Sequence, residues 1–287
     1  MSGSSTGGSA SGDAASGGSS PGVRVRREGP GGCVARVTLA RPEVRNALDA
    51  GAIAVLRTLF QGFAGEEPGA LRAVVLDGDG PVFCAGADLR WMRAAFDATP
   101  AANEADALGL AEMYGAIDRC PVPVIARVQG AALGGGAGLC AVVDVAIAEA
   151  GARFSFPEVR LGLIPATIAP FVVARVGEGP ARALFATGRR FDAAVALRIG
   201  LVHEVADGPD GLDRAVDAAL ADVLAGGPEA VRAAKRLIRD LRGADPEAAA
   251  ERTARALALR RASPEGAEGL RAIEERRPAT WVERGDG

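Results

Sequence analysis

Three consecutive glycines, Gly134-Gly135-Gly136, with Gly130 before them and Gly138 after, stand where an apolar run gives way to a helical pattern. The run 124–128 predicts a buried strand and 135–143 a helix. Glycines at such a turn let a ligand touch bare backbone, and the first N–H groups of a helix lack intrahelical acceptors. A turn of this kind can hold an anion or a polarised oxygen. Further on, a short strand pattern at 153–156 delivers a carboxylate, Glu158, behind Pro157. Backbone donors and one placed acid suffice for acid–base work on a polarised substrate. A P-loop is excluded, because Gly135 is followed by Gly136 and Ala137 rather than by Lys and Ser or Thr. The dinucleotide pattern G-x-G-x-x-G with its distant acid does not fit the spacing either. By itself the turn equally suits close packing of helix on strand.

A second loop breaks that balance. Pro81-Val82-Phe83-Cys84-Ala85-Gly86-Ala87-Asp88-Leu89 follows an apolar strand at 73–76 and leads into a helix starting near Leu89. Two strand-to-helix turns can each give one N–H to a single carbonyl oxygen, which is an oxyanion hole. Asp88 reads as the N-cap of the helix it precedes rather than as an acid or base.

Taken together, Phe83 to Leu89, Gly130 with Gly134-Gly135-Gly136, and Pro157-Glu158-Val159-Arg160-Leu161-Gly162 resemble the enoyl-CoA hydratase/isomerase (crotonase) family. Arg41-Pro42 with Asn46-Ala47-Leu48, Thr187-Gly188 and Gly200-Leu201-Val202 agree, so the resemblance runs from Val23 to the C-terminus. It implies an α/β fold of the crotonase type, a spiral of repeated ββα units followed by a helical C-terminal segment. It also implies an acyl-CoA substrate, with coenzyme A arriving as part of that substrate and no permanently bound cofactor or metal. The thioester oxygen would lie between the N–H groups of Ala87 and Gly135. Arg45 and Ala47 would lie against the adenine and pantetheine, with Cys84, Ala85, Gly86, Asp88, Leu89, Leu133 and Gly134 around the thioester. Glu158 matches the second catalytic glutamate of the family. Gly138 stands where two-glutamate hydratases carry the first.

That departure leaves two activities. Members with only the second glutamate include double-bond isomerases. The stretch 159–170, however, looks most like bacterial 3-methylglutaconyl-CoA hydratases of leucine and isoprenoid breakdown, which carry Gly-x-Gly at this turn. Hydration of a branched enoyl-CoA is therefore expected, with isomerisation through Glu158 alone as the alternative. A non-catalytic or RNA-associated relative is a third reading. A net charge of -3 and a pI near 5.5 speak against it and against nucleic acid as a partner.

The 287 residues, 48% apolar, allow one large core plus an appendage, and no apolar run is long enough for a membrane span. The chain is expected in the cytoplasm. Cys33, Cys84, Cys120 and Cys140 lack metal-ligand spacing and read as buried thiols. His203, the single histidine, excludes a histidine-based triad and reads as structural. Asp144 reads as a partner for nearby backbone or an arginine.

The elements that must position the site follow in order. Residues 1–22, rich in Ser, Gly and Ala, read as a disordered tail. Runs 23–27 and 33–39 predict a hairpin, and Asn46 or Asp49 a cap for a helix to about Phe63. Trp91, Met92, Ala95 and Phe96 predict an apolar face for core or acyl pocket; Met113 and Tyr114 are candidates for the same wall. Helices are expected at 165–176 and 180–187, with Asp192 capping 193–199. Residues 23–210 form the expected α/β core. Residues 211–287 form helices at 212–224, 228–241, 246–259 and 264–274, the segment that in the family assembles trimers or dimers of trimers. Lys235, the only lysine, lies near Arg232 and Arg236 on that segment, on a solvated face or against the CoA phosphates.

Overall fold

A computed structural model describes Ser19, Ser20 and residues 22–282. The tail expected for residues 1–18 and 21 lies outside the described residues. Ser19–Ser20 (β1) pairs antiparallel with Val23–Glu28 (β2), so strand structure begins before the expected boundary at residue 22. The predicted hairpin is present: β2 runs antiparallel to Val34–Leu39 (β3), with Val23 opposite Leu39. Ala73–Gly78 (β4) and Val124–Val128 (β5) then add in parallel. The strand Ala131–Leu133 (β6) leaves this sheet. Val145–Glu149 (β7) returns to pair with β5, and Arg153–Ser155 (β8) pairs in parallel with β6. Phe191–Asp192 (β9) closes the small sheet against β8, and Glu204–Ala206 (β10) adds to β7. The result is a seven-stranded sheet, β1-β2-β3-β4-β5-β7-β10, beside a three-stranded one, β6-β8-β9. β5-β6 and β7-β8 each divide their strands between the two sheets.

The parallel strands read as continuous apolar runs because both faces are covered. Val74, Leu76, Val124, Ala126, Ala146 and Ala148 enter the main core. Their neighbours Val75, Ile125 and Ile147 point the other way, onto Leu212, Ala215 and Val216 of the helix Gly208–Ala225 (here α8). The remaining helices are Ala50–Phe63 (α1), Leu89–Phe96 (α2), Pro100–Asp118 (α3), Gly135–Val142 (α4), Ala169–Val176 (α5), Glu178–Thr187 (α6) and Ala193–Arg198 (α7). Pro228–Asp240 (α9), Pro246–Arg261 (α10) and Pro264–Glu274 (α11) complete the chain.

α8 covers the sheet with its apolar face, so the boundary expected at residue 210 falls between this helix and the strands on which it packs. Two expectations need correction. The helix expected at 165–176 begins at Ala169, because Pro165 and the turns up to Ile168 hold the chain out of helical hydrogen bonding. α2 buries none of its residues: Trp91 packs against the core, but Phe96 is 75% exposed. Among the described residues, no helix is long and apolar enough to cross a membrane.

Candidate active site

The two glycine-bearing loops are stitched together by backbone. Phe83 N–H donates to the Gln129 carbonyl (3.0 Å), Cys84 N–H to that of Ala131 (3.1 Å) and Leu133 N–H to that of Cys84 (3.0 Å). These bonds need bare backbone. A Cβ on Gly130 would sit 1.9 Å from the Pro81 carbonyl oxygen, and one on Gly136 2.3 Å from that of Cys84. One on Gly86, whose φ is +94°, would sit 2.7 Å from the oxygen of Leu133 and 3.5 Å from the nitrogen of Gly135. These three glycines therefore serve the close packing of one loop on the other.

Each loop leaves one N–H facing outward. Leu48 N–H bonds the Gly86 carbonyl (2.7 Å) and Asp88 N–H bonds that of Leu48 (2.8 Å), which turns the Ala87 N–H away from residue 48. Gly135 opens α4, so its N–H has no helical acceptor. Neither donor has a protein acceptor among the described residues. Both Ala87 and Gly135 are half-exposed, while Gly86, Asp88, Gly134 and Gly136 are buried. Such a pair can receive one polarised oxygen.

A polar knot holds the first loop. Asp88 caps α2, accepting from Arg90 N–H at 2.8 Å, and binds the Arg41 guanidinium at 2.9 Å. Arg41 also donates to the Ala47 carbonyl at 2.6 Å. Asn46, buried with φ +55°, receives Arg41 N–H on its Oδ1 and donates to the carbonyls of Asp79 (2.8 Å) and Val82 (2.7 Å). Asp49, not Asn46, caps α1, through Ala52 N–H at 2.8 Å. Asp88→Ala removes the cap and leaves Arg41 without its buried partner. It is expected to lower unfolding stability by about 1–3 kcal/mol, read as a shift in the urea midpoint with unchanged slope.

Glu158 begins a short 3-10 turn, Glu158–Leu161, directly after the small sheet. Gly134 N–H donates to the Ser155 carbonyl at 2.8 Å, which ties that sheet to the glycine turn. A Cβ on Gly134 would lie 3.0 Å from Glu158 Oε1, so the carboxyl reaches over the residue preceding the Gly135 donor. Glu158 Oε2 is buried with no hydrogen-bond partner among the described residues. Burial pushes this carboxyl above its ordinary value, against a smaller opposing pull from its own backbone N–H.

Position 138 is closed. A Cβ on Gly138 would meet Ile168 Cγ2 at 2.3 Å and Tyr114 Cε1 at 3.3 Å. Tyr114, fully buried, donates its hydroxyl to the Gly135 carbonyl at 2.8 Å. Burial raises its phenol well above the usual range, so it remains a donor. Tyr114 thus braces the turn as well as filling the wall. The sequence carried a signal for this, since a lone tyrosine in a core-facing helix needs a partner for its hydroxyl. Ile168 carried no such signal.

The remaining candidates divide. Cys84 is buried, and burial pushes its thiol up to about 12, so it contributes backbone rather than a reactive sulfur. Ala85 N–H donates to the Arg45 carbonyl at 3.0 Å; Arg45 is exposed, Ala47 buried, and Leu89 75% exposed at the loop's end. Leu133 lies between the two loops. Lys235 is neither solvated nor near the thioester loops: it binds Asp144 at 2.6 Å and the Val122 carbonyl at 2.9 Å. Asp144 accordingly pairs with backbone, at Val124 N–H, and with this lysine instead of an arginine. His203 is structural, accepting from Ala146 N–H at 2.9 Å, with the Arg175 guanidinium against its other ring nitrogen. Burial and then Arg175 hold its pKa below the ordinary value.

The description "Enoyl-CoA hydratase/isomerase" belongs to the family whose model matches residues 30–284. Enoyl-CoA hydratase ACTT6 of Alternaria alternata is 36% identical over 210 residues, 73% of this chain and 68% of its own. Among solved structures, an enoyl-CoA hydratase from Shewanella pealeana superposes with a TM-score of 0.84 at 35% identity, covering 91% of this chain and 96% of that one. An enoyl-CoA hydratase/isomerase from Marinobacter aquaeolei gives 0.86 at 34% identity, covering 92% and 100%. Likeness of this extent in both sequence and structure settles the kinship: the chain belongs to the enoyl-CoA hydratase/isomerase (crotonase) family of enzymes.

Proposed function

We propose that this enzyme adds water reversibly across the α,β double bond of a branched enoyl-CoA such as 3-methylglutaconyl-CoA, with Glu158 as its single acid–base group. The observation that carries the reading is the buried, unpartnered Oε2 of Glu158 beside two outward backbone donors. The thioester oxygen sits between the N–H groups of Ala87 and Gly135, which favour the enolate charge that develops there. One such donor contributes about 3 kcal/mol of transition-state stabilisation in other enzymes. Glu158 takes a proton from water as the water oxygen bonds to the β-carbon and the π electrons move to the thioester oxygen. The enolate then collapses, and the Glu158 carboxyl returns the proton to the α-carbon. A branched β-carbon tolerates the partial positive charge of early addition, which lessens the need for a second carboxylate at 138. Arg45, Ala85 and Leu89 line the approach for the CoA thioester, with the buried Ala47 and Asp88 holding the loop from behind.

The alternative is double-bond isomerisation, and the filled space at Gly138 favours it, because one base can move a proton between two carbons of a bound 3-enoyl-CoA. Incubation with 3-methylglutaconyl-CoA, crotonyl-CoA and a 3-enoyl-CoA, read by mass and by the absorbance of the conjugated enoyl thioester, decides. Gain of one water on the branched substrate supports hydratase; conversion of the 3-enoyl compound at constant mass, with no hydration, replaces that reading with isomerase.

Gly138→Glu tests the closed wall. Its side chain collides with Ile168, so the variant is expected to lose about 1–3 kcal/mol of stability without faster hydration. Gly138→Glu combined with Ile168→Ala makes room and is expected to recover most of that loss in a denaturant melt.

Assembly as a homotrimer or a dimer of trimers is part of the same proposal. Ile238, Leu257, Leu259, Leu270 and Ile273 on α9, α10 and α11 are 52–76% exposed in the single chain, an apolar surface suited to self-association. Sedimentation equilibrium at a monomer mass would remove this part.

A further inference from the structure

A cleft of about 310 Å³ lies at the opposite end of the α/β core from the acyl-CoA site. Its walls come from the end of α1, the α3–β5 junction, α9 and α10. α1 starts beside Leu48 and spans about 21 Å over its length, so its far end is well removed from the oxyanion loops. The same holds along β5, which leads from this cleft to the glycine turn.

The lining is strongly one-signed. Arg119, Arg232, Lys235, Arg236, Arg239 and Arg260 face it, against one carboxylate, Glu229. Lys235 is engaged by Asp144, and Arg260 by Glu229 at 2.8 Å. Arg119, Arg236 and Arg239 have no side-chain hydrogen bond or ion pair among the described residues. Arg232 donates to the Glu66 carbonyl at 3.2 Å, yet its Nε is buried with no partner. The Arg119 guanidinium packs over Gly115 of α3, where a Cβ would lie 2.8 Å from its Nη1. Ala64, Pro68, Pro121 and Ala233 give the floor an apolar character.

We propose that this cleft is a second ligand site that takes a diphosphate group, either free or as the diphosphate of a nucleotide whose base rests on the apolar floor. Guanidinium forks match phosphate oxygens in pairs, and several unpaired forks around one cleft repel each other until an anion joins them. The volume and the number of free forks favour two linked phosphates over one.

Thermal melts and titration calorimetry of the full protein, at fixed ionic strength to remove general screening, use inorganic pyrophosphate, ADP and adenosine. Pyrophosphate and ADP are expected to raise Tm saturably by at least about 2 °C, and adenosine to leave it unchanged. ADP also fits the site of the CoA nucleotide, so only the part of its binding that is lost with the cleft arginines counts: if that part is tighter than pyrophosphate the nucleotide is the source, and if equal or weaker the source is free diphosphate. Arg119→Gln, Arg236→Gln and Arg239→Gln combined should weaken pyrophosphate at least tenfold while keeping wild-type turnover of the acyl-CoA substrate, which also shows that the variant is folded. Arg236→Gln alone should give a partial loss. Absence of a saturable pyrophosphate shift, or a pyrophosphate shift that survives the triple substitution, overturns the proposal.

Discussion

Glu158→Gln is expected to lower kcat by about 10²- to 10⁴-fold with the fold intact, whichever of hydration or isomerisation the assay follows. Gln matches the shape of Glu but neither accepts nor returns a proton, and no other carboxylate can reach the site through position 138, where Ile168 and Tyr114 fill the space. The pH profile should carry the same signature. Burial holds the Glu158 carboxyl above its ordinary value, so the base form, and with it kcat, is lost at a higher pH than an exposed glutamate would show. Stability should move the other way. With the folded-state pKa above the unfolded one, the ionised carboxylate costs stability in full above the folded-state pKa, and this cost disappears below the unfolded-state pKa. Glu158→Gln escapes it and should melt above wild type at pH 8, the gap closing as the pH falls into the ordinary carboxylate range. Near-wild-type turnover in this variant would remove Glu158 from the chemistry.

Gly136→Ala should damage both stability and turnover through a single methyl group. The added Cβ would lie 2.3 Å from the Cys84 carbonyl oxygen and 2.8 Å from the Cys84 Cβ, and neither can swing aside, since that carbonyl accepts from Leu133 N–H in the bridge between the loops. Relief requires α4 to slide away from the first loop. The expected cost is about 1–3 kcal/mol in a denaturant melt. α4 carries the Gly135 N–H, and a displacement near 1 Å of a positioned donor can cost roughly 10²-fold in rate. Gly151→Ala, with open space around its Cβ, is the matched control and should leave kcat unchanged. If Gly136→Ala loses stability but keeps full kcat, the Gly135 donor is not part of the reacting geometry.

Much of the site was legible because it is written in local chemistry. Glycine turns, the Asp49, Asp88 and Asp192 caps, and the strand that delivers Glu158 each depend on a few adjacent residues, and each formed where expected. The apolar runs named β4, β5 and β7, since a strand covered on both faces leaves no polar alternation to confuse it, but the short β6, β9 and β10 carried no such run and went unannounced. What lay beyond reach depends on residues distant in sequence meeting in space. Periodicity shows that α8 has an apolar face but not that Val75, Ile125 and Ile147 are what it covers. α2 shows a comparable pattern, yet lies mostly open. Lys235 looked like a surface cation because its partner, Asp144, sits at the far end of a different element. Gly138 is the sharpest case. The sequence by itself determined that the first glutamate is missing; only the tertiary structure decided that Ile168 and Tyr114 occupy its place, because the packing of three separate segments sets that space.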